Sequence, residues 1–304
     1  MNILLTGSAG GVGSSVLLYL SSQSSIQRIT SIDLLPLPEP ILSQIDPEQS
    51  KKITHHLVDL TDFLALDALF DTEGPFDGVI HLSAIPNPVH WDARIVHNTN
   101  VSIAYNILQT AVSHGVKRIV QASSVNAIGL LYTPEGKQMF DEIPISETAP
   151  MRAMDPYALS KQINELQAEH FARLHPTVRI ASLRFHHVVP TYSLGAKDTS
   201  WEDMFCWVST KAACEACLLG LTSEGWEGAE VYNIVAPEIC WEGGVSASIP
   251  GHEDIKGKVE TLDLMEVAWK GRVGRVREEW WAGRIRRSLF DCSKAERLLG
   301  WRHE

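Results

Sequence analysis

The glycine-rich turn near the start of the chain constrains the fold more than any other feature. Asn2-Ile3-Leu4-Leu5-Thr6 is a short apolar run, followed at once by Gly7-Ser8-Ala9-Gly10-Gly11-Val12-Gly13. Val16, Leu17 and Leu20 then recur at helical spacing, and Ile29-Thr30-Ser31-Ile32 leads to Asp33. Strand, glycine turn, helix, strand and acid is the layout that a dinucleotide needs. Gly7 lets the chain turn off the strand, Gly10 lets backbone approach a pyrophosphate, and Gly13 lets the helix pack close to the sheet. The helix N-terminus offers free N–H groups and about half a positive charge to the phosphates. Ala9, Gly11 and Val12 complete the candidate cofactor turn. Asp33 lies twenty residues after Gly13, where a carboxylate can accept both hydroxyls of the adenosine ribose. No arginine stands beside it or just after Gly7 to accommodate a 2′-phosphate, which favours NAD. Read alone, the glycines also fit a tight turn with no ligand.

Strand-like runs recur at 2–6, 28–33, 53–58, 77–82, 117–122, 178–183 and 231–235, with helical patterns between them. That alternation predicts an α/β fold, a doubly wound parallel sheet of about seven strands with helices on both faces. A chain of 304 residues can bury one large domain plus a small lobe. We expect residues 1–185 to form the dinucleotide-binding Rossmann domain, joined by the strand at 231–235. Residues 186–304 are then mainly a small substrate lobe and a C-terminal tail. Four prolines between Leu34 and Pro47 suggest a loop over the adenosine edge.

The net charge of −11 argues against nucleic acid or an anionic membrane as partner. No apolar run approaches a membrane span, and the first strand begins at residue 2, so a cytoplasmic protein is expected. An odd count of five cysteines suits reduced thiols. Cys214-Glu215-Ala216-Cys217 lies in an alanine-rich helical stretch with no second pair, so it reads as helix packing, and no metal is expected.

Leu57-Val58-Asp59-Leu60 ends the third strand, where Asp59 either accepts the adenine amino group or caps the next helix. The fourth strand runs through His81, read as a core histidine, into Leu82-Ser83-Ala84-Ile85, small residues that leave room for cofactor. A helix over 91–114 carries Asn98 and Asn100, whose propensity cost suggests that one points into the site. The fifth strand ends Ala122-Ser123-Ser124-Val125-Asn126, and the loop over 130–156 is long enough to cover a site. Pro156 then opens a helix on which Tyr157 and Lys161 share one face. A free tyrosine is a poor base at neutral pH. A lysine cation one turn away, together with an oxidised nicotinamide ring, favours the phenolate. Tyr157 can then take the proton of a substrate hydroxyl, with Ser124 holding the same oxygen.

These residues resemble the extended short-chain dehydrogenase/reductase superfamily of NAD-dependent sugar epimerases, dehydratases and dehydrogenases. The matching stretches run nearly end to end. They are Thr6-Gly7-x-x-Gly10-x-x-Gly13, Asp33, Asp59-Leu60, His81-Leu82-Ser83-Ala84, Asn100-Val101 and Ser123-Ser124 with Gly129. Further on come Tyr157-x-x-x-Lys161, Leu183-Arg184-Phe185, Tyr232-Asn233-Ile234 and a tail from Phe290 to Trp301. The resemblance implies Ser124, Tyr157 and Lys161 as the catalytic set, with Asn100 supporting them through water. It adds Ala122, Ser123, Phe185 and His187 to the cofactor contacts. It makes Ile85, Val125, Asn126, His186 and His187 candidate substrate contacts. Family dimers pair helices like 91–114 and 157–175, so a homodimer is implied.

Three departures bear on substrate. His187 stands where the family often has an asparagine that touches substrate; packing against the lobe is the other reading. Ser124-Val125-Asn126 replaces the Thr-Asp-Glu of the sugar dehydratases, which removes their acid and base. Among relatives the chain looks closest to uronate dehydrogenases, yet their carboxylate-binding arginine is missing, and Glu202 and Asp203 occupy that neighbourhood. Trp201, Phe205 and Trp207 either wall the pocket or build core. Trp280-Trp281 beside Arg284, Arg286 and Arg287 reads as a solvated basic helix end rather than a stacking site. The expected function is NAD-dependent hydride transfer with a small hydroxyl or carbonyl substrate, sugar-like, through a Ser-Tyr-Lys relay. The alternatives are a sugar or nucleotide-sugar epimerase using the same residues, and a regulator that senses dinucleotide without chemistry.

Overall fold

The computed structural model describes residues 1–242 and 259–304. In chain order its elements are β1 (Asn2–Thr6), α1 (Gly11–Ser22), β2 (Arg28–Asp33), α2 (Glu39–Leu42), α3 (Pro47–Ser50), β3 (Ile53–Leu57), α4 (Phe63–Glu73) and β4 (Gly78–His81). Then come α5 (Ala93–Ser113), β5 (Arg118–Ser124), β6 (Phe140–Ile143), α6 (Pro156–Leu174), β7 (Arg179–Phe185), β8 (Val188–Val189) and α7 (Tyr192–Asp198). The chain closes with β9 (Val208–Ser209), α8 (Thr210–Thr222), β10 (Ala229–Ile234), α9 (Thr261–Ala268), β11 (Val273–Val276) and α10 (Ser293–Leu299). Among the described residues no helix is long and apolar enough to cross a membrane.

Seven strands form one sheet in the order β10-β7-β5-β4-β1-β2-β3, and every pairing in it is parallel. These are the seven runs read from the sequence. The central strands β1, β4, β5 and β7 are almost wholly buried because both faces of the sheet are covered there, whereas the edge strand β3 is part-exposed. Helices α4, α5 and α6 cover one face through Leu66, Phe70, Ile107 and Phe171. Helices α1 and α8 cover the other through Val16, Leu17, Cys214 and Cys217. The cysteine pair is therefore helix packing, as expected. The strand order reverses between β1 and β4, and an open α/β sheet binds its ligand at the carboxyl end of that switch point.

The expected division at 185/186 is crossed in both directions. Residues 210–234 and the tail through Trp301 pack into the core of the sheet domain. Conversely Val125, Ile128, Phe140 and Ile143 pack into the lobe core with Trp201, Phe205, Trp241 and Trp269. The expected loop at 130–156 contains β6, which pairs in parallel with β11 (Phe140 opposite Val273). Part of the expected lobe, 243–258, lies outside the described residues. Trp201, Phe205 and Trp207 are core, at most 8% exposed. The tryptophan–arginine stretch is solvated only in part: Arg284 is exposed, but Trp281 and Arg287 pack inward. Trp281 is buried, and the Arg287 guanidinium stacks 3.3 Å from the centroid of Trp280 within the lobe itself.

Candidate active site

Two adjoining cavities open at the carboxyl edge of the sheet and share Val12, Leu82, Ala84 and Pro86. The first, about 560 Å³, follows the glycine turn. Gly7 has φ +76°, and a Cβ there would lie 2.7 Å from the Ser83 nitrogen. A Cβ on Gly13 would lie 1.9 Å from the Gly7 carbonyl oxygen. Neither position can carry a side chain, so the turn lies close against both β4 and its own helix. Asp33 accepts from the Ala9 N–H at 2.9 Å and from the Leu35 N–H at 3.1 Å. A carboxylate has about four acceptor sites, so capacity for ribose hydroxyls remains. Asp59 lines the same cavity. It does not cap α4; Asp62 does, accepting from the Ala65 N–H at 3.1 Å. Asp59 Oδ1 instead receives the N–H and hydroxyl of Thr61, at 2.8 and 2.7 Å.

The second cavity, about 520 Å³, is lined by Ala122, Ser123, Ser124, Val125, Asn126, Tyr157, Lys161, Phe185, His186 and His187, among others. Its parts reach it from separate elements. Ser124 ends β5 and caps the short 3₁₀ turn at 125–128. Asp155 caps α6, accepting from the Ala158 N–H at 2.8 Å, and Pro156 sits in the first turn. That start sets the helix phase, so that Tyr157, Lys161 and Glu165 lie along one buried face at i, i+4 and i+8.

The catalytic candidates are held by side chains around them. Lys161 Nζ donates to the Ala122 carbonyl at 2.8 Å and lies 5.6 Å from the centroid of the Tyr157 ring. Ser124 Oγ receives the Asn126 N–H at 3.1 Å and its Nδ2 at 3.3 Å, which leaves the hydroxyl proton free to point elsewhere. Beneath them Glu165 receives Ser123 Oγ at 2.5 Å, Arg184 Nε at 2.8 Å and Arg184 Nη2 at 2.7 Å. Both members of this ion pair are almost wholly buried.

The electrostatics differ from the sequence expectation. Burial pushes the Tyr157 phenol up to about 12; Ser124 works against that shift, and Tyr132 and Asp155 add to it. Burial brings Lys161 down to about 8, with Glu165 opposing. Within the protein alone, then, desolvation is the dominant influence on the phenol. His81 is a core histidine as read, bonded to Thr6 Oγ1 at 2.8 Å and pushed down to about 3 by burial and then by Lys161.

Every cofactor and substrate residue singled out in the sequence lines one of the two cavities, except Asn100. Its amide is buried behind the wall, exchanging hydrogen bonds with the Ile85 backbone (2.8 and 3.1 Å) and donating to Ser160 Oγ at 3.2 Å. Asn100 thus ties α5 to the β4 loop and to α6. Asn126 reaches the cavity, but its amide is engaged by Ser124 and by the Leu131 N–H at 2.9 Å. Tyr132, Ser200 and Asp203 line the second cavity and were not singled out as site residues. The long loop foretold the first of these. The acidic pair at 202–203 was the sequence signal for the last.

A family model described as "NAD dependent epimerase/dehydratase family" matches residues 3–205. Curated relatives include a putative UDP-arabinose 4-epimerase 2 of Arabidopsis thaliana, 29% identical over 199 residues, covering 62% of this chain and 43% of the relative. UDP-glucose 4-epimerase 2 of the same plant is 27% identical over 212 residues, covering 64% and 54%. The chain thus spans about half the length of these relatives. Among solved structures, the UDP-Glc/GlcNAc 4-epimerase of Campylobacter jejuni superposes with a TM-score of 0.70 at 19% identity, over 100% of this chain and 94% of that one. A UDP-glucose 4-epimerase of Thermotoga maritima gives 0.67 at 20% identity, with the same coverage. These likenesses confirm the doubly wound fold.

Proposed function

The chain belongs to the NAD-dependent epimerase/dehydratase family, and from that premise we propose that it is an NAD-dependent oxidoreductase acting on a small, sugar-like hydroxyl or carbonyl substrate. The single observation that carries this reading is the convergence of Ser124, Tyr157 and Lys161 on one cavity that adjoins the glycine-turn cavity. The residues fit NAD: the Gly7–Gly13 turn would hold the pyrophosphate, Asp33 the adenosine ribose, and Asp59 with Leu60 the adenine edge. NAD held there would supply the hydride acceptor or donor and, in its oxidised form, a positive charge that favours the phenolate. Tyr157 moves the proton to or from the substrate oxygen. Ser124 donates its free hydroxyl proton to the same oxygen. Lys161, held on the Ala122 carbonyl, supplies positive charge to the phenolate.

NADH formation across a panel of alcohols and aldoses tests this. We expect Tyr157→Phe to lose roughly 1,000-fold in turnover while keeping NAD affinity and fold. Turnover unchanged in that variant would remove Tyr157 from the mechanism. The names of the relatives favour a second reading, epimerisation by the same residues; product formation without net NADH would select it. A homodimer through α5 and α6 is supported by Tyr105, Leu159 and Leu166, which those helices leave 42%, 43% and 58% exposed. A cytoplasmic setting suits the five cysteines, all free thiols.

A further inference from the structure

Beyond Ser124, Tyr157 and Lys161, the second cavity has a polar end whose charge is unusual for a site that takes sugars. Asp203 is 6% exposed and lines it. Its Oδ1 accepts from the Ser200 N–H at 3.0 Å and the Phe205 N–H at 3.2 Å. Those bonds hold a turn in which Met204 and Phe205 have φ of +59° and +56°, left-handed values that non-glycine residues seldom adopt. Oδ1 alone accounts for this structural role. Among the described residues Oδ2 accepts no hydrogen bond, and the carboxyl is pushed well above the usual range, first by burial.

The cation inventory is equally clear. Among the described lining residues Lys161 is the only lysine or arginine, and it is tied to the Ala122 carbonyl. Arg184, behind the wall, is paired with Glu165. His186 accepts the His187 N–H at its Nδ1, at 2.7 Å, which puts the proton of the neutral ring on Nε2. Burial and then His187 hold its pKa down to about 3, the main chain of Asp203 opposing, so the ring is uncharged at neutral pH. Nε2 is buried without a hydrogen-bond partner. An anionic substituent entering this cavity would lose its water and would have to face the Asp203 carboxylate or drive it to take up a proton. Among the described lining residues it would find no lysine or arginine besides the Lys161 already committed to the catalytic phenol. A hydroxyl or carbonyl would lose much less.

We propose that Asp203, with the cation-poor lining around it, makes this cavity selective for an uncharged polyhydroxy or carbonyl group, against the carboxylated or phosphorylated counterpart. The inference rests on the oxidoreductase reading for its substrate class. It concerns only the part of the substrate that enters the cavity, so it applies equally to a free sugar and to the sugar end of a larger molecule.

The experiment compares matched pairs that differ in CH₂OH against carboxylate: glucose with glucuronate, galactose with galacturonate, UDP-glucose with UDP-glucuronate. For whichever pair is turned over, the neutral member should have the higher kcat/KM, by about 30-fold. Equal or better turnover of the uronate overturns the inference. Two variants then move the ratio. Ser200→Lys adds a cation on the lining without altering the Asp203 side chain, and should narrow the preference roughly tenfold. Asp203→Asn keeps the Oδ1 acceptor and removes the acid, and should narrow it a few-fold. A ratio unmoved by both, in variants that bind NAD and unfold like the parent, also overturns it. If no pair is turned over, the oxidoreductase reading fails separately. Calorimetric titration of the NAD-loaded Tyr157→Phe variant then decides. Tighter binding of the neutral member, by about tenfold, supports the inference, and equal binding, the reverse order or no binding of the neutral member overturns it.

Discussion

Gly7 to Gly13 form their half of the cleft from main-chain atoms, whereas the half around Tyr157 is assembled from the side chains of β5, α6, the end of β7 and the stretch at 200–203. The first half is contiguous in sequence, and its tightest constraints are distances from one backbone segment to another. The second is set by polar and charged groups, most of them distant in the chain, that hold one another: Lys161 on the Ala122 carbonyl, and Ser123 and Arg184 on Glu165. The halves should therefore fail differently. Added volume should break the first, and removal of one charged partner should break the second.

The largest effect apart from loss of the catalytic phenol is expected at Glu165. Glu165→Gln leaves Arg184 buried at 2% side-chain exposure without its counter-charge. Breaking one side of a buried pair typically costs about 3–5 kcal/mol. We expect the urea midpoint to fall accordingly with the slope unchanged. Turnover should fall too, because Glu165 also supports the charge on Lys161. A loss below about 1 kcal/mol, the range of an exposed pair, would mean that the second half does not depend on its charges.

Next comes Gly13→Ala, aimed at the first half. Its methyl would lie 1.9 Å from the Gly7 oxygen, and backbone cannot yield as a flexible side chain does. We expect NAD affinity, read by calorimetry, to fall roughly 100-fold, about 2–3 kcal/mol. Retained affinity would show that the turn shifts freely, and the comparison would lose its steric arm.

The same contrast explains what the sequence revealed. The glycine turn, Asp33 and the seven strands were legible because their signals are local: spacing, small residues, and apolar runs bounded by turns. Ser124, Tyr157 and Lys161 were legible through their motif, but their electrostatic state was not. Tyr157 and Lys161 are shifted mainly by desolvation, which depends on everything packed around them. The helix-propensity cost points to Asn98 or Asn100 as a site residue, and only the family resemblance selects Asn100. That cost is offset by its hydrogen bonds to Ile85 and Ser160, a partnership spanning sixty residues on one side. The assignment of 125–149 to the lobe, and of α8 and α10 to the sheet domain, likewise rests on contacts between distant segments. Asp203 shows in the sequence only as an acid beside Glu202, because its burial is a tertiary property.

His81 stands where the halves meet, bonded to Thr6 of β1 and electrostatically coupled to Lys161. Its folded pKa of about 3 lies below the unfolded value of 6.5. Between those values the unfolded chain binds a proton that the folded protein refuses, so stability is full above about 6.5 and is lost as the pH falls toward 3. One such group gives a slope of about 1.4 kcal/mol per pH unit. His81→Gln should flatten the acid limb of a stability–pH curve by about one proton. An unchanged limb would mean that His81 is charged or hydrated in the folded state, and that the junction is wetter than its burial indicates.

The smallest expected effect gives the comparison its control. Gly11 lies in the same turn as Gly13 and lines the same cavity, yet a Cβ there meets nothing within 4 Å. It is the first residue of α1, with Gly10 as the cap. Gly11→Ala should therefore stabilise the protein, by about 0.4–1 kcal/mol, because the unfolded chain loses more freedom than the folded one. NAD affinity should change by less than about tenfold, a step of 1.4 kcal/mol. The thermal midpoint and an NAD titration on the same sample separate the two effects. If Gly11→Ala lost as much affinity as Gly13→Ala, glycine would be needed in this half for the cofactor's own space. The close approach of backbone to backbone would then no longer be what sets the turn apart from the side-chain-built half.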